Sequence, residues 1–387
     1  MRAWAEINLD AIAHNYNEIR KITSPDAKIM AIIKADGYGH GFKAIASVLL
    51  ENGVDAFGVA TTDEAIQIRK AGFTPPVLIL GVVLGDEYKR AIENEISLCV
   101  ANTETAVEIS EIARKTGKNA KIHIKLDTGM GRIGFVCGDS DDDITKEILK
   151  IAALPYITVE GIFSHFSKAD EEDASYTKLQ YERFSRICTS LKNSGLDIPY
   201  CHICNSAGII QFPEYHLDMV RSGIITYGLY PSEVVNKEKL DLIPAMTVKT
   251  KVTNIKEIRH ESLISYGGNY KAVPGQKIAT IAIGYADGFS RILSGRAKVL
   301  VNGQFADVVG NICMDQCMID VTDIESIKTG DEVIIFGSDG NNTITVESVA
   351  LLLGTINYEV VCSVGKRIPR AYIQDNKTVS VLNYLVK

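Results

Sequence analysis

The chain has 387 residues, of which 46% are hydrophobic and 23% charged, and its formal net charge is −7. Such a length accommodates two or three domains, or one large barrel with an appendage, and the acidic balance gives no basic footprint for nucleic acid. No run approaches the roughly 18 consecutive apolar residues that a spanning helix needs, and "MRAWAEINLDAIAHNY" lacks an apolar signal core, so the expectation is a soluble cytoplasmic protein without a membrane partner.

From the amino terminus, the helical stretch "DAIAHNYNEIR" leads into eight short apolar runs rich in β-branched residues: 28–34, 56–61, 77–81, 97–101, 121–127, 157–165, 200–206 and 218–223. Between them lie stretches of helical periodicity, including "FKAIASVLLEN", "TDEAIQIRKAG", "TETAVEISEIARKTG" and "ASYTKLQYERFSRICTSLKNSG". Thr61 followed by Glu64 forms a capping-box signature, and Gly72, Gly117 and Gly195 stand where helices end. Strands separated by helices pair in parallel, and eight such units closing on themselves make a (β/α)8 barrel of the TIM type. A doubly wound sheet is the rival, but no dinucleotide fingerprint follows the first strand.

Eight cysteines are too dilute for a disulfide scaffold. Cys201 and Cys204 have C-x-x-C spacing, but positions i and i+3 of a strand face opposite sides, so no metal site is expected here. After about residue 240 the runs become strand-like with turn residues between them, and Asn302-Gly303 is a two-residue hairpin signal. The division expected is therefore an α/β barrel over 1–240 followed by a mostly β domain over 241–387.

In a barrel the carboxyl ends of the strands line the active site. Here they carry Lys34 in "AIIKADGYGHG", Lys125 with Asp127, His165, Asn205 with Ser206, and Arg221. This polar ring has a cationic bias suited to a phosphate or carboxylate. Gly37, Gly39, Gly41 and Gly223 are expected to let backbone N–H groups approach such an anion, and a desolvated lysine can form a Schiff base.

"AIIKADGYGHG", "KLDTGMGRIGF", "HICNSAG", "DMVRSGIITYGLYP", "SYGGNY", "IGYADGF" and "NICMDQCMID", in this order, resemble alanine racemase over nearly the whole chain. The resemblance implies a pyridoxal 5'-phosphate enzyme, a homodimer with shared active sites, that interconverts L- and D-alanine by a two-base mechanism and supplies D-alanine for peptidoglycan. It implies that Lys34 holds the cofactor and serves the D-face, while Tyr266 serves the L-face from the other subunit. Arg221 matches the partner of the pyridine nitrogen, and Tyr38, Ser206, Gly223, Ile224 and Tyr358 match phosphate-binding positions. His165 matches a residue beside the cofactor ring, with Asn205 next to it in the cofactor-binding set. Arg132 and Met314 match substrate-binding positions, Lys125 a lysine that is carbamylated in many members, and Tyr285 an entryway tyrosine. Tyr358 also favours alanine over serine. Asn311 stands where many members carry arginine. Rival readings are a cofactor-binding protein without catalysis, which would lack the β domain and Tyr266, a racemase of broader specificity, and a Schiff-base aldolase, which would need neither Arg221 nor a second base.

Overall fold

The computed structural model describes residues 1–138 and 142–386. It falls into two compact units: Ile12–Gly37 with Phe42–Ile243, and Met1–Ala11 with Tyr38–Gly41 and Pro244–Lys387.

Strand β1 (Ala3–Asn8) belongs to the second unit. The first unit holds β2 (Lys28–Ile32), β3 (Ala56–Val59), β4 (Val77–Ile79), β5 (Leu98–Val100), β6 (Ala120–Asp127), the short β7 (Phe135–Val136), β8 (Ile157–Phe163), β9 (Tyr200–His202) and β10 (Met219–Ser222). The eight expected runs are thus eight strands, in two parallel four-stranded sheets of order β10-β2-β3-β4 and β5-β6-β8-β9, with β7 on β6. A parallel bridge from Leu78 to Ser97 joins β4 to β5. Asp218 N donates to Cys201 O (3.2 Å) and Arg221 N to Cys204 O (3.0 Å), joining β9 to β10 and closing the barrel. Strands β3, β4 and β5 are buried along their whole length, as strands covered on both faces must be. Each buried Val, Leu or Ile contributes about 1.5–3 kcal/mol relative to an exposed one.

Helices alternate with these strands, among them Phe42–Glu51, Thr62–Lys70, Thr103–Thr116 and Ser175–Asn193. The capping box is formed: Thr61 Oγ1 accepts from Glu64 N (3.3 Å) and the Glu64 carboxylate accepts from Thr61 N (3.2 Å). Gly117 adopts a left-handed conformation as the helix ends.

In the second unit β1 pairs antiparallel with β11 (Met246–Glu257). The hairpin β12 (Ser262–Ile264) and β13 (Tyr270–Ala272) follows, then β14 (Lys277–Ile281), β15 (Lys298–Val301), β16 (Gln304–Val309), β17 (Cys317–Asp320), β18 (Glu332–Asp339), β19 (Asn342–Ile344), β20 (Arg370–Gln374) and β21 (Lys377–Leu382). The sheet order is β19-β18-β15-β16-β17-β14-β11-β1-β20-β21, and an extra β18–β11 pairing closes six of these strands on themselves. Asn302 (φ 50°) and Gly303 (φ 70°) make the expected two-residue turn between β15 and β16.

Candidate active site

The barrel chemistry converges on Arg221. Its strand β10 buries it to 2% exposure, and its guanidinium has no carboxylate in reach among the described residues. Instead Nη2 donates to Ser164 O (2.7 Å), Ile203 O (2.9 Å) and His165 Nδ1 (3.2 Å), and Nη1 donates to His202 Nδ1 (2.7 Å) and His202 O (3.2 Å). No bond from Nε is found among the described residues, so that N–H remains available to a ligand. Burial lowers the Arg221 pKa to about 10, which leaves it charged at neutral pH.

Because arginine can only donate, His202 and His165 must each accept at Nδ1. His202 Nε2 then carries the proton and donates to His123 Nδ1 (2.9 Å). Burial first, and the Arg221 charge second, hold all three imidazoles below their ordinary pKa, with His123 at about 3. They are neutral spacers around one fixed cation. His202 also stacks on Phe163, with centroids 5.1 Å apart and planes 4° from parallel.

Lys125 lies on β6 at 2% exposure, with Nζ 2.5 Å from Leu126 O and 5.5 Å from the Phe163 ring centroid. Burial, and then the Arg221 charge, push its amine down from 10.5 to about 8. Asp127 serves the adjoining loop: its Oδ1 accepts from Gly129 N (3.0 Å), Met130 N (2.9 Å) and Gly131 N (3.0 Å), gathering the loop that presents the exposed Arg132. The Arg132 and Lys34 charges both depress His165, so the barrel unit brings these cations to one mouth.

Lys34 is half-buried just past β2. The next three residues, Ala35, Asp36 and Gly37, are left-handed (φ 50°, 56° and 63°), as is Tyr38 (φ 51°). A left-handed L-residue costs about 1–2 kcal/mol, and side chains restrain the turn. Glu64 Oε1 accepts from Ala35 N (2.6 Å), and Asp36 Oδ1 accepts from Phe42 N (2.9 Å).

Two glycines of this stretch have a different use from the one expected. A Cβ on Gly39 would meet Val361 O at 2.4 Å, and one on Gly41 would meet the Tyr372 hydroxyl at 1.9 Å. They are glycines because other backbone and side chains press on them within the second unit.

Ser206 Oγ accepts from Gly223 N (3.0 Å), and Gly223 precedes the 3-10 turn Ile224–Tyr227. Asn205 is engaged as the N-cap of Ser206–Gln211: its Oδ1 accepts from Gly208 N (3.0 Å) and its Nδ2 donates to Phe166 O (3.2 Å).

In the second unit, Tyr38 and Tyr358 face each other with ring centroids 6.1 Å apart. Burial, then Tyr358, raise the Tyr38 pKa, so its phenol stays a proton donor. Tyr266, Met314 and Tyr285 are 70%, 52% and 41% exposed. Tyr266 borders an open pocket of about 540 Å³ with Ser265, Cys313 and Gln316. Tyr285 N and Ala286 N donate to Cys313 O (3.0 Å) and Met314 O (3.1 Å), tying the "GYADG" and "NICMD" loops together. Asp287, wholly buried, reinforces this tie through Arg2 (2.6 Å) and Arg367 (3.4 Å).

Sequence reasoning missed His123, His202 and the second use of Glu64. The strand pattern places both histidines on barrel strands, but the Arg221 contact that gives them a purpose spans 19 residues of chain to His202.

Family models match in two segments: "Alanine racemase, N-terminal domain" over residues 7–231 and "Alanine racemase, C-terminal domain" over 245–372. An alanine racemase of Clostridium perfringens is 48% identical over 382 residues, covering 99% of this chain and 98% of the relative. The solved alanine racemase of Clostridium difficile 630 superposes with a TM-score of 0.96 at 43% identity, covering 100% of this chain and 99% of that one. A structure of alanine racemase from Clostridium difficile 630 in complex with cycloserine gives a TM-score of 0.94 at 41% identity, covering 100% and 99%.

Proposed function

The chain belongs to the alanine racemase family, and on that footing we propose that it is a homodimeric, pyridoxal 5'-phosphate-dependent enzyme that uses Lys34 and Tyr266 as its two bases. It is an amino-acid racemase, and its reaction is the interconversion of L- and D-alanine. The observation that carries the cofactor reading is the donor set around Arg221. A buried guanidinium whose four Nη protons are engaged leaves one N–H to offer an aromatic nitrogen, with neutral histidines on both sides. Ser206 and Ile224 would supply a hydroxyl and a backbone N–H for a phosphate, with the Gly223 N–H holding the Ser206 hydroxyl, and by the family resemblance Tyr38 and Tyr358 would be phenolic donors. The residues fit the group.

When bound, pyridoxal phosphate supplies the electron sink that makes the substrate Cα proton acidic. Arginine does not yield its own proton, so Arg221 would hold the cofactor's ring nitrogen by a hydrogen bond without protonating it, which would temper the sink and favour return of a proton to Cα over transamination. Lys34 removes or returns the Cα proton on the D-face, and Tyr266 does so on the L-face. Two groups are needed because one base returning a proton to the same face regenerates the starting enantiomer. Arg132 and Met314 orient the substrate, and Tyr285 lines its approach. Lys125, with a pKa of about 8, has a neutral fraction at physiological pH that can add carbon dioxide and release a proton. The resulting carbamate would turn a cation beside Arg132 into an anion that steadies it. D-alanine for peptidoglycan and a cytoplasmic location complete the reading; no helix among the described residues is long and apolar enough to cross a membrane.

The test has two parts. The purified protein should show a visible absorbance band that Lys34→Ala loses, and chiral chromatography should show L-alanine becoming racemic. Cofactor binding without enantiomer change would sink the reading. Mixing inactive Lys34→Ala and Tyr266→Phe subunits should restore part of the activity, because one hybrid site then has both bases; no restoration would refute shared sites.

A further inference from the structure

Tyr266 opens the short turn Tyr266–Gly268, and no hydrogen bond to its phenol is found among the described residues. The direction of this side chain therefore depends on its backbone. The preceding residue, Ser265, has φ 67° and ψ −176°, a combination that is essentially reserved for glycine. Such a conformation persists only when its surroundings hold it.

The surroundings are mainly one neighbouring stretch, Gly310–Cys313: Ser265 Oγ lies 3.4 Å from Cys313 Sγ, and within its own turn the Ser265 carbonyl accepts from Gly268 N (3.2 Å). A Cβ on Gly310 would come within 2.7 Å of Ile264 O and 3.0 Å of Ser265 Cβ, so the two backbones touch. Ser265 Oγ donates to Asn311 O at 2.5 Å, and Asn311 Nδ2 donates to Tyr266 O at 2.6 Å. One residue thus grips the chain on both sides of the Ser265–Tyr266 peptide bond, once with its backbone and once with its side chain. On the far side, a Cβ on Gly267 would lie 3.4 Å from Asn311 Nδ2, so the amide also seats against the turn.

We propose that Asn311 is the positioning residue for Tyr266, a two-point clamp that holds the strained Ser265–Tyr266 peptide and thereby aims the phenol. The inference rests on the reading of Tyr266 as the L-face base. A primary amide suits the task because it donates over a short reach. An aspartate of the same shape would set a carboxylate oxygen against the Tyr266 carbonyl.

The test compares Asn311→Ala, Asn311→Asp and Tyr266→Phe holoenzymes in deuterium oxide with D-alanine as substrate. Deuteration of D-alanine with retained configuration needs only Lys34, whereas conversion to L-alanine also needs Tyr266. Displacing a catalytic group by about 1 Å costs up to roughly 100-fold. Both Asn311 variants should racemise about 10- to 100-fold more slowly while retained-configuration exchange stays within about 3-fold of wild type. Amide hydrogen exchange over residues 265–269 should quicken, and the unfolding midpoint should not move. Tyr266→Phe should give the same kinetic split, deeper, but without the quickened amide exchange, because both clamp bonds survive in it. If the Asn311 variants racemise at the wild-type rate, or lose exchange and racemisation in parallel, the clamp is refuted. If Tyr266→Phe racemises normally, the assignment of Tyr266 fails, and the clamp's purpose with it.

Discussion

Replacing Lys125 by methionine removes a buried amine while keeping most of the volume of its stem. Its pKa falls from the ordinary 10.5 to about 8, first through burial and then through the Arg221 charge. At about 1.4 kcal/mol for each tenfold change in proton affinity, the charged amine carries a penalty of about 3 kcal/mol in the folded state. The sign follows from linkage. Below pH 8 both folded and unfolded chains hold the proton, and the penalty is present in full. Between about pH 8 and 10.5 the unfolded chain binds the proton more tightly, so stability rises with pH. Above 10.5 neither state is charged and the penalty is gone. Urea unfolding of wild type and Lys125→Met, from pH 6.5 to 10.5 in bicarbonate-free buffers that keep the amine uncarbamylated, should therefore show a difference that is constant at the acidic end. In that range the variant is favoured, because the methionine carries no charge penalty. The difference should then shrink by about 3 kcal/mol toward alkaline pH. A difference that stays flat across this range would refute the reasoning, since every other titrating group is common to both proteins.

Arg370 donates to four carbonyls, Gly39 O (2.8 Å), Gly365 O (2.7 Å), Ile368 O (2.5 Å) and Val364 O (2.6 Å). At about 1–3 kcal/mol for each buried group left unpaired, Arg370→Leu should lower stability by at least about 4 kcal/mol in denaturant unfolding; a loss under about 2 kcal/mol would contradict the bonding. In Glu64→Gln one acceptor oxygen becomes a donor facing the Ala35, Ala60 and Thr61 amides. Exchange at the Ala35 amide should quicken and stability fall by about 0.5–1.5 kcal/mol, since these bonds are solvent-exposed, whereas unchanged exchange would show that the left-handed turn does not need Glu64. In His202→Phe, Arg221 Nη1 loses its 2.7 Å acceptor while the stacking face on Phe163 survives. Racemisation should fall about 10-fold and stability by about 1–3 kcal/mol, because Arg221 Nη1 and His123 Nδ1 each lose a buried partner, and equal turnover of the two proteins would remove His202 from the positioning of Arg221.

The barrel was legible because its information is local. The eight runs alternate with helices, some of them marked by local caps and terminal glycines such as Thr61 and Gly117, and the Asn302-Gly303 turn and the Thr61–Glu64 box are readable from two and four residues. The strand-end residues followed, because a barrel presents whatever its strands end on. The family resemblance added Tyr266, Tyr358 and Met314, which no periodicity points to.

By itself, then, the sequence determined which segments become strands and helices, and which polar side chains stand at the barrel mouth, since both depend on short-range pattern. Only the tertiary structure decided the rest, because the deciding neighbours are far apart in the chain. Strand β1 joins the sheet of the second unit through Val248 and Arg370. Gly39 must be glycine because Val361 O presses on it, and its carbonyl accepts from an arginine 331 positions away. The histidine shell around Arg221 and the Asn311 grip on Ser265 and Tyr266 are likewise contacts across the fold, and hydrogen-bond geometry at that range leaves no trace in a local pattern.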